Sequence, residues 1–220
     1  MKKTIITFFL ILASLTASAQ INTDSLMMSG RNALYFEDYV LAIQYFNEVI
    51  TAKPLLAQPF YYRAIAKFML DDFQGAEEDA TEALERNPFL LGAYHLRGAA
   101  RQNQGLFALA AADYMHFLEF FPEDRFALIN MAIVNIEMGY FDIAETFLEI
   151  LLRHFPHFTQ AFLVRSQMFL ERAMADLNQA MELDPQMTEP FFLRVLLYLQ
   201  QKNYENALND LNETNIGAAN

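Results

Sequence analysis

The sequence contains no cysteine and no tryptophan. Without thiols there is no disulfide framework, no thiolate zinc or iron–sulfur site and no lipidated cysteine anchor. Glycine and proline number only seven each in 220 residues, too few for a collagen-like or linker-rich chain. Positive charge is scarce as well. Fifteen Lys and Arg stand against 27 Asp and Glu, and a net charge of -12 excludes nucleic-acid phosphate as an expected partner. Charged residues make up 19% and hydrophobic residues 54%, so the chain is not a disordered polar one. Long apolar runs are missing too. The stretch from Ile5 to Leu15 covers 11 residues, and a membrane span needs about 20.

That stretch follows Lys2 and Lys3 and leads into Ala17, Ser18, Ala19 and Gln20. A basic start, a short apolar core and a small-x-small ending form the pattern of a secretory signal peptide, with cleavage expected after Ala19. Residues 1–19 are then the address and 20–220 the mature chain, exported to a periplasm or secreted, with no membrane span of its own. Gln20 stands where a lipoprotein would need cysteine. With no disulfides, the mature chain must be held by packing alone.

What the sequence does have is a period. Pro54, Pro88, Pro122 and Pro156 recur every 34 residues, and Pro185 follows after 29. Proline ends helices, so each one closes a structural unit. Twelve positions before each stands an alanine: Ala42, Ala76, Ala110, Ala144 and Ala173, with Ala207 in the last unit. The eighth position of each unit is small at Gly30, Ala64, Gly98, Ala132 and Ser166, and is Val195 in the last. Small residues at fixed places let two helices approach closely. Between the prolines lie pairs of segments of about 14 residues with helical apolar spacing. Turn signals such as Asp71-Asp72 and Met138-Gly139 separate them. Each unit therefore reads as a helical hairpin.

In this register the chain resembles the tetratricopeptide repeat (TPR) family. Phe60, Ala64, Phe73, Ala76, Ala83 and Pro88 carry the motif in the second unit, and Tyr94, Gly98, Phe107, Ala110 and Pro122 in the third. The resemblance covers nearly all of the mature chain as six units, at about 23–56, 57–90, 91–124, 125–158, 159–187 and 188–220. It implies an all-α, right-handed α-solenoid of stacked helix-turn-helix repeats. It also implies a protein-interaction scaffold whose first helices form a groove for a peptide or partner helix. By repeat position, the groove would be lined by Tyr61, Ile65, Phe68, His95, Ala99, Gln102, Ile129, Ile133, Ile136, Leu163 and Gln167. Some relatives grip a C-terminal carboxylate with Lys, Arg and Asn. Arg31 and Asn130 alone match here, so an apolar groove is expected in place of a carboxylate clamp.

Comparing the units with one another yields a covariation. Arg63, Arg97, Arg165 and Arg194 each have an aspartate in the same unit's second helix: Asp79, Asp113, Asp176 and Asp210. The first and fourth units lack both, with Ser29 and Tyr45, and Met131 and Phe147, in their places. These pairs read as structural ion pairs between the two helices of one hairpin.

The fifth unit lacks five residues at its turn. Between Gln167 and Asp176 there is no Gly, Pro or Asn. The two helices either fuse into one of about 24 residues or form a shortened hairpin, and local propensity favours fusion. Fusion would leave Arg165 and Asp176 unpaired. The fourth unit is unusually apolar, from Phe126 through Leu152, and fits either self-association or tight packing on the abnormal fifth. After Leu211 the sequence turns polar, with no solvating helix to follow. That suggests either a face covered by another chain or the front part of a longer exported protein.

No phosphate-binding glycine loop, zinc-protease helix or nucleophile elbow occurs. His154 and His157 have no third metal ligand near them in sequence, and acidic clusters such as Glu77-Glu78-Asp79 fall on the solvated helix face. Neither a cofactor nor a metal nor a catalytic activity is expected.

Overall fold

The computed structural model describes residues 22–184 and 187–217. The expected signal peptide and Pro185 lie outside them. Among the described residues there are eleven helices and no strand. They are α1 (Thr23–Tyr35), α2 (Tyr39–Ala52), α3 (Ala57–Met69), α4 (Phe73–Arg86), α5 (Leu91–Asn103), α6 (Phe107–Phe120), α7 (Arg125–Glu137), α8 (Phe141–His154), α9 (Thr159–Leu183), α10 (Glu189–Gln200) and α11 (Tyr204–Gly217). None is long and apolar enough to cross a membrane.

Short polar side chains start several of these helices. Asn22, Asp38, Asp72 and Asp124 each accept a backbone N–H of the first turn, satisfying donors that the helix itself leaves open. The turns inside the hairpins share one backbone feature. Glu37, Asp71, Gly105 and Gly139 all have positive φ, and Lys202 has it in the last hairpin. The first four are spaced by the same 34 residues as the prolines. A left-handed residue at that place reverses the chain, and the fifth unit, having lost its turn, has none among the described residues.

The chain divides into two compact units, Met1–Gly105 and Leu106–Asn220. In the first, each helix from α1 to α5 packs on the next, and the first helices of successive hairpins also touch, α1 on α3 and α3 on α5. Close approach depends on the small positions. A Cβ on Gly30 would stand 2.6 Å from the ring of Phe46, which is fully buried. Ala33, Ala42, Phe46 and Ala66 form one core cluster, and Phe60, Ala83, Leu84 and Ala93 another. Arg86 joins two hairpins here. Its Nε donates to the carbonyl of Pro54 at 2.7 Å, and its guanidinium lies 4.0 Å from the Phe60 ring centre.

In the second unit, one cluster runs from Ala110, Tyr114 and Leu118 of α6 through α7 and α8 to Ala161 and Met168 of α9. Leu128, Ile129, Met131, Val134, Ile136, Leu148 and Leu151 are all buried in it. The surplus apolar side chains of the fourth unit are thus largely consumed by packing against its neighbours. Ile129 belongs to this core and is not a groove residue. Counting positions from the proline places it facing inward along the array, but it is 3% exposed within this cluster.

The fifth unit is one continuous helix of 25 residues. Arg165 and Asp176 sit eleven residues apart on it, about 16 Å along the axis, so the ion pair expected from the covariation does not form within the chain. Missing turn residues leave the second half of α9 no means of folding back on the first.

Candidate functional site

Two of the expected ion pairs are built alike. Arg63 Nε and Nη2 donate to the two carboxylate oxygens of Asp79 at 2.7 and 2.6 Å, and Arg194 does the same to Asp210. Lys67 adds a second cation to Asp79 at 2.9 Å. The third nitrogen of each arginine reaches backwards. Arg63 donates to Asn47, Arg97 to Thr81 and Arg194 to Asn178, each sixteen residues earlier in the preceding unit. Arg97 lies in the first compact unit and Asp113 in the second. Asp113 is buried. Sequence comparison missed the backward link, although its signal is visible: a polar residue, Arg and Asp recur at intervals of sixteen. In the fourth unit all three become apolar, as Met115, Met131 and Phe147. These residues clip helices together.

On the inward side of the first unit, Tyr61, Ile65 and Phe68 of α3 and His95, Ala99 and Gln102 of α5 are all half-buried. The Tyr61 hydroxyl lies over Gly92, where an added Cβ would approach it to 2.7 Å. Burial, followed by the neighbouring Tyr62, pushes the Tyr61 phenol above its ordinary value. Tyr61 and Tyr62 have ring centres 5.5 Å apart, and Tyr62 stacks on Phe46 at 5.7 Å. The exposed Arg31 lies 5.5 Å from the Tyr62 ring centre and forms the only basic corner of this surface among the expected positions. Phe68 turns partly towards its own hairpin and meets Phe73 edge-on at 5.3 Å.

In the second unit, α7 and α9 bring Ile133, Ile136, Leu163 and Gln167 together around an open pocket of about 290 Å³. Glu137, Gln160, Val164 and Glu171 complete its wall. The floor is apolar and the charged groups on its rim are carboxylates. Asn130, the single clamp-like asparagine, hydrogen-bonds the hydroxyl of Tyr114 in the core. Sequence reading also passed over Phe192, Leu196 and Leu199 of α10, which are exposed at the corresponding register. The shortened fifth unit breaks the count from the prolines, but counting from Arg194 recovers them.

Among the described residues, no group of three or more His, Asp or Glu side chains is placed to hold a metal ion. His154 Nδ1 lies 3.6 Å from Glu123.

No sequence-family model matches the chain. The chain is 32% identical over 89 residues to the small glutamine-rich tetratricopeptide repeat-containing protein 2 of Saccharomyces cerevisiae. That match covers 40% of this chain and 26% of the yeast protein, so the chain spans about a quarter of the length of the curated relative it matches. Among solved structures, a tetratricopeptide repeat protein from Parabacteroides merdae superposes with a TM-score of 0.63 at 19% identity, covering 90% of this chain and 80% of that one. The first TPR of Spaghetti (RPAP3), bound to HSP90 peptide SRMEEVD, superposes with a TM-score of 0.52 at 27% identity, covering 53% of this chain and 93% of that one. The shared fold is an all-α helical solenoid of successive hairpins.

Proposed function

The chain is a tetratricopeptide repeat protein, and from that premise we propose that it is an exported scaffold that binds an amphipathic, basic segment of another protein along its first helices. The observation that carries this reading is the pocket between α7 and α9, with an apolar floor of Ile133, Ile136, Leu163 and Val164 beneath Glu137 and Glu171. An apolar groove takes the apolar face of a helix or extended peptide, and carboxylates on its edge favour cations beside that face. The net charge of -12 adds long-range attraction for the same cations. The RPAP3 repeat domain was solved with an acidic peptide. By contrast, Arg31 is the one matching cation in the first compact unit, and Asn130 in the second is engaged by Tyr114, so an acidic C-terminal peptide is the wrong ligand. No chemistry is assigned to the groove.

Fluorescence anisotropy tests the reading. The mature chain should bind a labelled Leu- and Lys-rich amphipathic helix and ignore SRMEEVD. Affinity should fall with added salt, because surface charges are screened. It should fall about tenfold or more in Leu163→Glu, a change of at least about 1.4 kcal/mol. Equal binding of both peptides, or none of the basic one, would remove the proposal.

A further inference from the structure

In the other hairpins that lie within one compact unit, the first helix packs on its own second helix. Phe60 and Leu128, at the fourth position of their units, are 6% and 2% exposed, and Ala64 and Ala132 at the eighth are fully buried. On α9 the same two positions carry Phe162 at 43% exposure and an exposed Ser166, and Phe169 farther along the same face is 50% exposed. The second half of α9 shows the reciprocal defect. Ala76, Ala110, Ala144 and Ala207 are buried at the position where Ala173 is only half-buried. Asp79, Asp113 and Asp210 are buried, and Asp176 is exposed. Arg165 has the ring of Phe162 beneath its guanidinium, at 5.2 Å. Asp176 sits on the wall of an open pocket of about 390 Å³ beside the start of α8. One helix thus carries both halves of a hairpin interface, complete with the two charges of its ion pair, and neither half is covered as it is in the other units.

We propose that a second copy of this chain covers them, the two α9 helices lying antiparallel about a two-fold axis midway between Arg165 and Asp176, near Leu170. In that arrangement, the first half of each α9 packs on the second half of the other as the two helices of an ordinary unit do. Arg165 of one copy meets Asp176 of the second, twice per dimer. A two-fold axis makes such an interface self-complementary, and loss of a hinge loop converts an internal hairpin into an exchange between copies. The charge complementarity is specific: the fifth unit has kept the Arg and Asp that the first and fourth units lack together, although its own helix separates them. Two copies restore both pairs and hide Phe162 and Phe169. This association is independent of what the groove binds.

Charge reversal in trans tests the proposal. The wild-type mature chain should sediment as a dimer. Arg165→Asp alone sets two carboxylates against each other at both contacts, and Asp176→Arg alone sets two guanidinium groups against each other. Each variant should weaken dimerisation by at least about tenfold while keeping its helical circular dichroism, since both side chains lie on the helix surface. In a mixed dimer of the two variants, one contact joins the introduced aspartate to the introduced arginine. The other keeps the native pair of Arg165 with Asp176. An equimolar mixture should therefore recover the dimer. Restoring a five-residue turn between Glu171 and Ala173 should give a monomer. A wild-type chain that stays monomeric at every concentration, or charge variants that dimerise alone as well as they do when mixed, would overturn it.

Discussion

Asp210 accepts two hydrogen bonds from Arg194 in a site where the carboxylate is nearly closed to water. Those bonds, more than any other influence, hold the Arg194 guanidinium above its already high ordinary range. Removing one partner leaves the other without its counter-charge, whereas replacing both with apolar side chains of similar volume costs little. The fourth unit already carries the apolar version, Met131 with Phe147. Asp210→Asn should therefore destabilise by about 2 kcal/mol, and Arg194→Met with Asp210→Phe by less than either single change, as read by urea unfolding. Tyr114 offers a titration at the same scale. Burial first, then the charge of Asp113, raises its phenol above the usual 10.0, and the bond from Asn130 opposes them. The folded chain keeps this proton where the unfolded chain releases it. The contribution to stability is therefore fully present below the unfolded value of 10.0 and is lost as pH rises towards the native value. In an absorbance titration of phenolate, Tyr114→Phe should delete the last group to ionise.

At the scale of the element, the hairpin turns differ in backbone ease. Gly105 and Gly139 adopt positive φ freely, and nothing stands within 4 Å of where a Cβ would sit at either. Glu37, Asp71 and Lys202 adopt it with a side chain in place, a conformation that costs about 1 kcal/mol or more for an L-residue. Glu37→Gly should raise the melting temperature by about 2–4 °C, the shift that 1 kcal/mol gives in a chain of this size. The side chain of Glu37 is exposed, so little packing is lost. A fall in melting temperature would show that the turn is not strained. The fifth unit makes the same point by omission: lacking a residue to turn left-handed, its segment continues as one helix of 25 residues.

For the whole molecule, the proposed export predicts a defined new N-terminus. Mass spectrometry of the protein recovered from outside the cytoplasm should find Gln20 first, and an intact Met1 would refute cleavage. The hairpins and the pairing of Arg63 with Asp79 were legible because repeats permit comparison within one sequence. Spacing of 34 residues fixes the register, and a lost partner exposes itself when its mate is lost with it. Local propensity also decided that α9 is continuous, since no Gly, Pro or Asn between Gln167 and Asp176 breaks a helix. Burial was not legible in this way. Ile129 and Ile133 lie four residues apart on one face of α7, but the core cluster takes in the first and leaves the second half-exposed at a pocket. Periodicity depends on the backbone and is written locally, while exposure depends on which distant side chain arrives. The backward reach of Arg63 to Asn47, the capture of Asn130 by Tyr114 and the uncovered faces of α9 were therefore decided only when the helices packed.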